Sequence, residues 1–364
     1  MFVRRLVLNH FRSYDSLDVS FPEGSVMIVG KNTSGKTNIL EALYYMTLGR
    51  SFRKASDSDL IRKGCSEATI YLEYLNDRDK KVHTLSCLIG DHYKAFYADS
   101  EKVKSLSKIL GLLVACEYDP NQVFLFRDEP AERRKLMDEV LSQISPKYLY
   151  AISRYKKLLK ERNAAFAQDY DSDVIRVLRD QLINLSYRIV YDRYEFVESV
   201  SKKANENYRI LFGRESDLKI KYKTNCVLET DQSAYLKKMT DLFEKNKSDE
   251  TIRKMTLIGP HRDDMVALLG KNDVAAYGSQ GENRLASLSL KLAVRDVLEE
   301  KLGVKPILLL DDVCSDLDSE RCQRLLERIK GEGQVFLTGT KEPGTLDGYE
   351  TYETHDSKLW RKNV

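Results

Sequence analysis

The stretch GKNTSGKT, residues 30–37, matches the pattern G-x-x-x-x-G-K-[ST] at every fixed position. The apolar run VMIV at 26–29 precedes it and is typical of a β-strand. In the segment that follows, Ile39, Leu43 and Met46 recur at helical spacing. Strand, glycine-rich loop and helix in this order are typical of a P-loop that cradles phosphate groups. The alternative is a glycine turn that only starts a helix, and the lysine and threonine in place argue against it.

Each residue of this loop has an expected part in nucleotide binding. Gly30 and Gly35 permit backbone angles and a close approach that a Cβ would forbid. The loop N–H groups and the helix N-terminus direct positive partial charge at a triphosphate. Lys36 is predicted to reach the β- and γ-phosphates, and Thr37 to supply its hydroxyl to Mg²⁺. The predicted nucleotide contacts of the loop are Gly30, Lys31, Asn32, Thr33, Ser34, Gly35, Lys36 and Thr37.

A second motif, PILLLDD at 306–312, ends four aliphatic residues with two acids. Such a continuous apolar run is typical of a strand buried on both faces of a parallel sheet, and ligands bind at the carboxyl ends of such strands. Asp311 is therefore the predicted Walker B ligand that completes Mg²⁺ coordination alongside Thr37. Asp312 is predicted to orient or deprotonate the attacking water. Most of the chain separates the two motifs, whereas small P-loop kinases and GTPases usually carry both in one short domain.

Between them lies SQGENR at 279–284, followed by an apolar helical segment. Ser279 and Glu282 form a capping box, which could do no more than start that helix. The same geometry offers a hydroxyl and free N–H groups to an anion. A Ser-Gln-Gly start at this distance before Walker B is the layout of an ABC-type signature, so Ser279 and Gly281 are predicted to contact nucleotide. Asp312, Lys36 and Ser279 are the predicted catalytic residues.

Other segments have predicted roles with plainer alternatives. The segment 315–318 has the place and composition of a D-loop, and a helix with Cys322, Leu326 and Ile329 inward follows it. Thr338-Gly339-Thr340 is the candidate switch segment after the next buried strand. Arg12 is either a nucleotide contact or a surface arginine. Gln122 either serves a loop that senses Mg²⁺ or water, or is a turn glutamine.

Composition indicates an ordinary globular chain, with 42% hydrophobic and 32% charged residues. The net charge of +3 neither demands nor excludes nucleic acid, so any DNA contact must come from local patches. The six cysteines contain no C-x-x-C pair, which argues against a disulfide framework and for a reducing cytoplasm. No apolar run approaches the roughly 20 residues of a membrane span. We therefore expect a cytoplasmic protein with no membrane partner.

The fold class expected is α/β, an ABC-type ATPase head with an inserted, mainly helical lobe or arm. Strand-like segments at 68–74, 82–89 and 94–97 indicate an antiparallel β subdomain beside the P-loop sheet. From about residue 129 the period of the apolar residues is helical, and one charged stripe can run from about 173 to 208. The predicted domains are residues 1–128 with 255–364 for the head, and 129–254 for the second lobe.

Taken together, the motifs resemble the RecF family of bacterial recombinational-repair ATPases, which is related to SMC proteins. The resemblance runs nearly end to end. It rests on NHFRSYDSL near the start, GKNTSGKTNILEALYYMTLGRSFR at 30–53, EPAERRKLMD at 129–138, YKKLLKERN at 155–163, GPHRDD at 259–264, SQGENR at 279–284 and LLLDDVCSDLD at 308–318. The chain departs from the family at Glu282-Asn283, where the family looks more like two glutamines. Glu282 adds a negative charge near a helix N-terminus, which bears on the strength of dimerisation.

The resemblance implies an ABC-type head that binds Mg-ATP and joins two subunits head to tail. Lys36 of one subunit and Ser279 of the other would then hold the same triphosphate. The closed dimer would clamp DNA at gaps or single-strand/duplex junctions, and would cooperate with RecR and RecO in loading RecA. Slow ATP hydrolysis would release the clamp. The alternatives are the nucleotide-binding subunit of an ABC transporter and a P-loop kinase that acts on a small molecule.

DNA contacts are expected from basic side chains on the inner face of the head and the base of the arm. Arg50, Arg53 and Lys54 are the candidates. Because phosphate neutralisation would supply most of the affinity, we expect DNA binding to weaken steeply as salt is raised.

Overall fold

The computed structural model describes residues 1–53, 55–119, 124–168, 170–213, 215–343 and 348–362, with the backbone alone for Asp316. The chain folds into two compact units. Unit 1 comprises Met1–Val123, Glu206–Glu215 and Ser287–Val364, and unit 2 comprises Phe124–Asn205 and Ser216–Ala286.

The strands and helices are numbered in chain order. The strands are β1 (Phe2–Phe11), β2 (Tyr14–Ser20), β3 (Ser25–Val29), β4 (Glu67–Leu75), β5 (Val82–Gly90), β6 (Lys94–Ala98), β7 (Glu101–Lys102), β8 (Ala115–Tyr118), β9 (Leu218–Lys223), β10 (Asp264–Leu269), β11 (Asn272–Asp273), β12 (Ile307–Leu310), β13 (Val335–Gly339), β14 (Tyr349–His355) and β15 (Lys358–Arg361). The helices are α1 (Lys36–Leu48), α2 (Pro130–Ile144), α3 (Pro146–Ala167), α4 (Ser172–Phe212), α5 (Gln232–Arg253), α6 (Val274–Tyr277), α7 (Gln280–Leu302) and α8 (Ser319–Ile329). Helices α4 and α7 each contribute residues to both units.

Unit 1 contains two six-stranded sheets. One has the order β2-β1-β4-β5-β6-β7 and is antiparallel throughout. In β4 buried residues alternate with more exposed ones, as in a sheet with one face on a core. The other sheet has the order β15-β14-β3-β13-β12-β8, in which the neighbours from β14 to β8 run parallel. Both the antiparallel subdomain and the parallel P-loop sheet of the predicted fold class are confirmed.

A buried glutamine and an aromatic pair lie at the core of unit 1. Gln334 accepts a hydrogen bond from the Val3 N–H at 2.7 Å and donates to the Val3 carbonyl at 2.9 Å. The Phe21 and Phe336 rings meet edge to face with centroids 5.0 Å apart. Val3 lies in β1 and its partner Gln334 directly precedes β13, while Phe21 directly follows β2 and its partner Phe336 lies in β13. These contacts therefore connect the antiparallel sheet with the parallel one.

Unit 2 combines helices with the antiparallel sheet β11-β10-β9. An apolar cluster fills part of its interior, with Ile183, Val190, Cys226, Tyr235, Met239, Phe243 and Ile258 as its buried members. On α4 the buried members are Ile183 and Val190, which lie seven residues apart and therefore on one face of the helix.

An ion-pair network holds three segments of unit 2 together. The Arg193 guanidinium, 2% exposed, donates to Asp138 at 2.8 Å and to Asp263 at 2.9 Å. It also donates to the Pro260 carbonyl at 2.7 Å and to the Tyr148 hydroxyl at 3.0 Å. Asp138 ends the EPAERRKLMD stretch and Asp263 lies in GPHRDD. Both stretches therefore serve, at these positions, to build the interior of unit 2.

The cysteines differ in one respect from the expectation drawn from their spacing. Cys314 and Cys322 are bonded as a disulfide, with Cα atoms 5.4 Å apart. Cys65, Cys87, Cys116 and Cys226 are free thiols. A separation of eight residues is not a recognisable cysteine motif, so the pairing follows from the fold of the segment rather than from its spacing.

Candidate nucleotide-binding site

The P-loop connects β3 to α1 and requires glycine at two positions. Gly35 has φ +104°, and a Cβ there would lie 2.8 Å from the Tyr14 hydroxyl. A Cβ on Gly30 would lie 2.5 Å from the Thr354 carbonyl oxygen. Residues with a side chain rarely adopt the φ angle of Gly35, and neither Gly30 nor Gly35 has room for a Cβ atom. The two glycines thus allow the backbone of the loop to pack closely against Tyr14 of β2 and Thr354 of β14.

Lys36 begins α1 and folds back into the loop. Its amino group donates to the Gly30 carbonyl at 2.6 Å and to the Lys31 carbonyl at 2.8 Å. Burial lowers the pKa of Lys36 below its ordinary value, against the opposing attraction of Asp312 and Asp311. A phosphate in the loop would offer this amino group charged acceptors in place of two carbonyls, which is a stronger kind of hydrogen bond.

The Asp311 carboxylate, directly after β12, contacts side chains from the start of α1 and from the end of β13. It accepts a hydrogen bond from the Thr37 hydroxyl at 2.7 Å and another from the Thr338 hydroxyl at 2.6 Å. The Thr338 oxygen in turn accepts from the Asp312 N–H at 3.0 Å. The arrangement follows from strand order, because β3, β13 and β12 are parallel neighbours whose carboxyl ends lie at one edge.

The residues of this edge fit a magnesium-bound triphosphate. Asp311 and Thr37 present carboxylate and hydroxyl oxygens, the hard ligands that Mg²⁺ prefers. Ser34 Oγ is buried, and no group among the described residues hydrogen-bonds it. A buried hydroxyl without a partner is costly, and a phosphate oxygen is an acceptor that would satisfy it. Together with the Lys36 amino group, these atoms form a suitable cradle.

The predicted signature segment forms a complete capping box at the start of α7. Ser279 donates both its N–H and its hydroxyl to one oxygen of Glu282, at 2.8 and 2.9 Å. The Glu282 N–H donates back to the Ser279 hydroxyl at 3.2 Å. Asn283, fully buried, donates from Nδ2 to the carbonyls of Val274, Gly278 and Ser279. The Glu282 carboxylate thus occupies the position where the hydroxyl and free N–H of Ser279 would meet an anion.

Gly281 follows Ser279 with open space around it. A Cβ on this residue would meet no atom within 4 Å. Packing among the described residues therefore does not explain a glycine here. Ser279 and Gly281 belong to unit 2, whereas the P-loop, Asp311 and Asp312 belong to unit 1.

Arg12 lies beside a buried acid that sequence reasoning missed. Its guanidinium donates to both oxygens of Glu41, at 2.8 and 2.6 Å, and to the Asp59 carbonyl at 2.7 Å. Glu41 is fully buried on α1 and also accepts from the Ser51 hydroxyl, with Arg53 3.7 Å away. In the sequence, the sign of this buried acid is a glutamate among the apolar residues of the helix that follows the P-loop. The predicted contact of Arg12 with nucleotide stays a prediction.

The other predicted residues fall into two groups. Gln122 and Lys54 lie outside the described residues. Arg50 and Arg53 are exposed, and Arg53 also donates to the Asn38 side chain at 3.3 Å. Among the helices of the described residues, none is both long and apolar enough to cross a membrane.

Comparison with known proteins gives consistent matches over the whole length. The family model described as the RecF/RecN/SMC N terminal domain matches residues 2–355. The "DNA replication and repair protein RecF" of Halalkalibacterium halodurans is 35% identical, with 100% of each chain covered. The protein of the same name from Bacillus subtilis is 33% identical over 94% of each chain.

Two solved structures share the fold of this chain to different degrees. The "recombination mediator protein RecF-ATPrS in RecFOR pathway" superposes with a TM-score of 0.91 at 26% identity, covering 99% of this chain and 98% of the other. An SMC head bound to the C-winged helix domain of ScpA superposes with a TM-score of 0.59 at 17% identity, which shows the fold alone. The fold is thus that of an SMC- and ABC-type ATPase head, and the chain belongs to the RecF family of DNA replication and repair proteins.

Proposed function

We propose that this chain is an ATP-dependent DNA-binding recombination mediator. Mg-ATP joins two copies, the closed dimer clamps DNA at gaps or single-strand/duplex junctions, and slow, DNA-stimulated hydrolysis releases it. With RecR and RecO as partners, the clamp assists the loading of RecA. Relatives named as DNA replication and repair proteins, and a RecF structure solved with ATP at a TM-score of 0.91, support this proposal.

The observation that carries it is the geometry around Asp311. One carboxylate accepts from Thr37, at the start of the P-loop helix, and from Thr338, at the end of the neighbouring strand. A change at the phosphates can therefore reach β13 through two hydrogen bonds. This is the kind of connection that a nucleotide-driven conformational change requires.

Within one subunit, each residue has a separate task. Lys36 binds the β- and γ-phosphates, and Thr37 with Asp311 would hold Mg²⁺. The ion, when bound, would neutralise charge between the β- and γ-phosphate oxygens. Asp312 follows Asp311 directly and has its backbone N–H fixed by the Thr338 hydroxyl at 3.0 Å. We assign to its carboxylate the orientation of the attacking water.

The second subunit supplies the signature. In the proposed dimer Ser279 and the N-terminus of α7 of one copy face the γ-phosphate held by the other. The open space around Gly281 supports a close approach at this point. The dipole of α7 and the Ser279 hydroxyl would then act on the same phosphate as Lys36 of the other copy. Dimerisation and nucleotide binding would therefore strengthen each other.

The experiment measures DNA affinity by fluorescence anisotropy on gapped, single-stranded and fully duplex substrates, with and without ATP. We expect ATP-dependent binding that is tightest on gapped DNA. Lys36→Met should abolish the ATP dependence, whereas Lys63→Met, which changes an exposed lysine of the same unit, should keep it. Binding that ignores ATP, or equal affinity for all substrates, would contradict the proposed clamp.

A further inference from the structure

The Cys314–Cys322 pair encloses the predicted D-loop. Cys314 lies in the 3-10 turn Val313–Asp316, two residues after Asp312, and Cys322 lies in the first half of α8. The disulfide closes a ring that contains residues 315–318. A covalent bond at this place therefore acts on the segment that directly follows the Walker B acids.

Backbone contacts that involve no sulfur hold the two cysteines near each other. The Ser315 N–H donates to the Asp312 carbonyl at 3.1 Å, which fixes the turn that carries Cys314. At the start of α8 the Asp318 side chain caps the Arg321 N–H at 2.9 Å, and the Asp318 carbonyl accepts from the Cys322 N–H at 2.9 Å. The resulting Cα separation of 5.4 Å lies within the usual range for a disulfide. These contacts do not depend on the disulfide and are therefore available to hold the two segments when the thiols are reduced.

The two sulfurs differ in access. Cys314 is partly exposed, whereas Cys322 is 5% exposed on the inner face of α8. A dissolved oxidant therefore meets Cys314 first, and Cys322 acts as the resolving thiol.

We propose that Cys314 and Cys322 form a reversible redox site that slows ATP turnover when it is oxidised. The oxidant is a small disulfide such as oxidised glutathione. The Cys314 thiolate attacks one of its sulfurs, forming a mixed disulfide and expelling one glutathione thiolate. The Cys322 thiolate then attacks the Cys314 sulfur and expels the second glutathione. Two protein thiols are oxidised, one small disulfide is reduced, and the two thiol protons end on the two glutathione molecules.

The position of the disulfide ring, next to the Walker B acids, explains why oxidation should slow ATP turnover. Asp311 keeps its hydrogen bonds to Thr37 and Thr338 with the disulfide in place, so the bond is compatible with an intact nucleotide cradle. In the proposed dimer the predicted D-loop, residues 315–318, lies at the contact with the second copy, and the ring limits its movement there. Oxidation should therefore leave ATP affinity unchanged and reduce the rate of hydrolysis. This inference rests on the proposed function, since it concerns the same ATPase site.

The test compares protein in dithiothreitol with protein in oxidised glutathione. Peptide mapping follows the Cys314–Cys322 bond, hydrogen exchange follows residues 315–321, and ATP turnover is measured on the same samples. We expect the bond to form, exchange to slow and turnover to fall at least threefold, all reversed by dithiothreitol. Cys314→Ser should not respond, and Cys322→Ser should stop at the mixed disulfide of Cys314 with glutathione. Cys65→Ser, which removes another partly exposed cysteine of unit 1, should respond like wild type.

The outcomes separate this inference from the proposed function. No Cys314–Cys322 bond, or a bond that leaves turnover unchanged, overturns the inference while reduced protein still turns over ATP and binds gapped DNA. Reduced protein with no turnover contradicts the proposed function, and the regulatory inference with it.

Discussion

At the residue scale, the Asp311 carboxylate joins the two halves of the site. The sequence predicts Asp311 and Thr37 as joint magnesium ligands, and their 2.7 Å hydrogen bond brings them together as expected. The sequence does not predict the contact of Asp311 with Thr338, because that contact requires β13 to lie between β3 and β12. Strand order is set by long-range packing and cannot be read from local spacing. The role of Asp311 as a magnesium ligand and the catalytic role of Asp312 stay predictions.

Glu282→Gln should strengthen ATP-induced dimerisation. In the proposed dimer the carboxylate that accepts twice from Ser279 competes with the γ-phosphate and repels it. Glutamine keeps a capping box without the charge. We expect the dimer dissociation constant with ATP to fall about fivefold, close to 1 kcal/mol, as measured by analytical ultracentrifugation.

The matched control for this change is Asp173→Asn, in the first turn of α4, which removes an exposed charge remote in sequence from the signature and the D-loop and should leave dimerisation unchanged. An equal or weaker dimer for Glu282→Gln would show that this carboxylate does not oppose the phosphate.

At the scale of elements, the periodicity of apolar residues predicts which face of a helix is buried, but it does not fix every residue on that face. The inward positions of α8 are Cys322, Leu325 and Ile329, so the prediction of Leu326 was wrong by one residue. Spacings of three and four residues both fit a helix, and only the neighbouring surface decides between them. Strand β12 carries the four aliphatic residues that its sequence predicts, all buried.

The Arg193 network supports a prediction about the stability of unit 2. Arg193→Met should lower the free energy of unfolding by about 3 to 5 kcal/mol, because it removes the guanidinium that two buried carboxylates share: Asp263 loses this ion pair, and Asp138 keeps only its pair with Lys156. Urea unfolding followed by circular dichroism measures the loss. Arg188→Met, on the same helix, breaks the more exposed pair with Asp192 and should cost about 0.5 kcal/mol or less. Similar losses for the two variants would contradict a structural role of the network.

The half-buried His261 makes stability depend on pH. Burial lowers its pKa to about 4, although the hydrogen bond to the Thr256 carbonyl opposes this shift. Its other ring nitrogen lies 2.8 Å from the Tyr155 hydroxyl, which donates to the neutral ring. In the unfolded chain a histidine pKa is about 6.5, so the unfolded state binds more protons between pH 6.5 and 4. The contribution of His261 to stability therefore falls as pH drops through this window and does not change with pH above it.

Urea unfolding at pH 7 and pH 5 measures this effect. We expect wild type to lose about 2 kcal/mol from this residue alone. His261→Gln should remove that part of the pH dependence, and His92→Gln, at an exposed position, should retain it. Unchanged pH dependence in His261→Gln would show that another group is responsible.

At the scale of the whole molecule, the family and fold class are recognisable from sequence because the motifs are co-linear and each has a local signature. The domain division into 1–128 with 255–364 and 129–254 stays a prediction. The compact units divide at residues 123–124, 205–206, 215–216 and 286–287, and the second and fourth of these boundaries lie within α4 and α7. A boundary inside a continuous helix leaves no break in composition or periodicity, so sequence patterns cannot indicate it.

DNA binding by the proposed clamp should depend steeply on salt. With a net charge of only +3, affinity must come from local basic patches that neutralise phosphates. If four or more phosphates are contacted, the logarithm of the association constant should fall with the logarithm of salt concentration with a slope of about −3 or steeper. Anisotropy titrations on gapped DNA with saturating ATP at several salt concentrations give this slope. A slope near zero would contradict an electrostatic clamp.

In the proposed dimer, two copies of the chain complete one nucleotide site. Sedimentation velocity of wild type and Ser279→Arg at micromolar concentration, each with ATP and Mg²⁺, tests it most directly. ATP binding is measured on the same samples. We predict that wild type sediments as a dimer only with ATP, and that Ser279→Arg binds ATP normally but stays monomeric. Wild type that stays monomeric with ATP bound, or Ser279→Arg that dimerises as wild type does, would contradict the account.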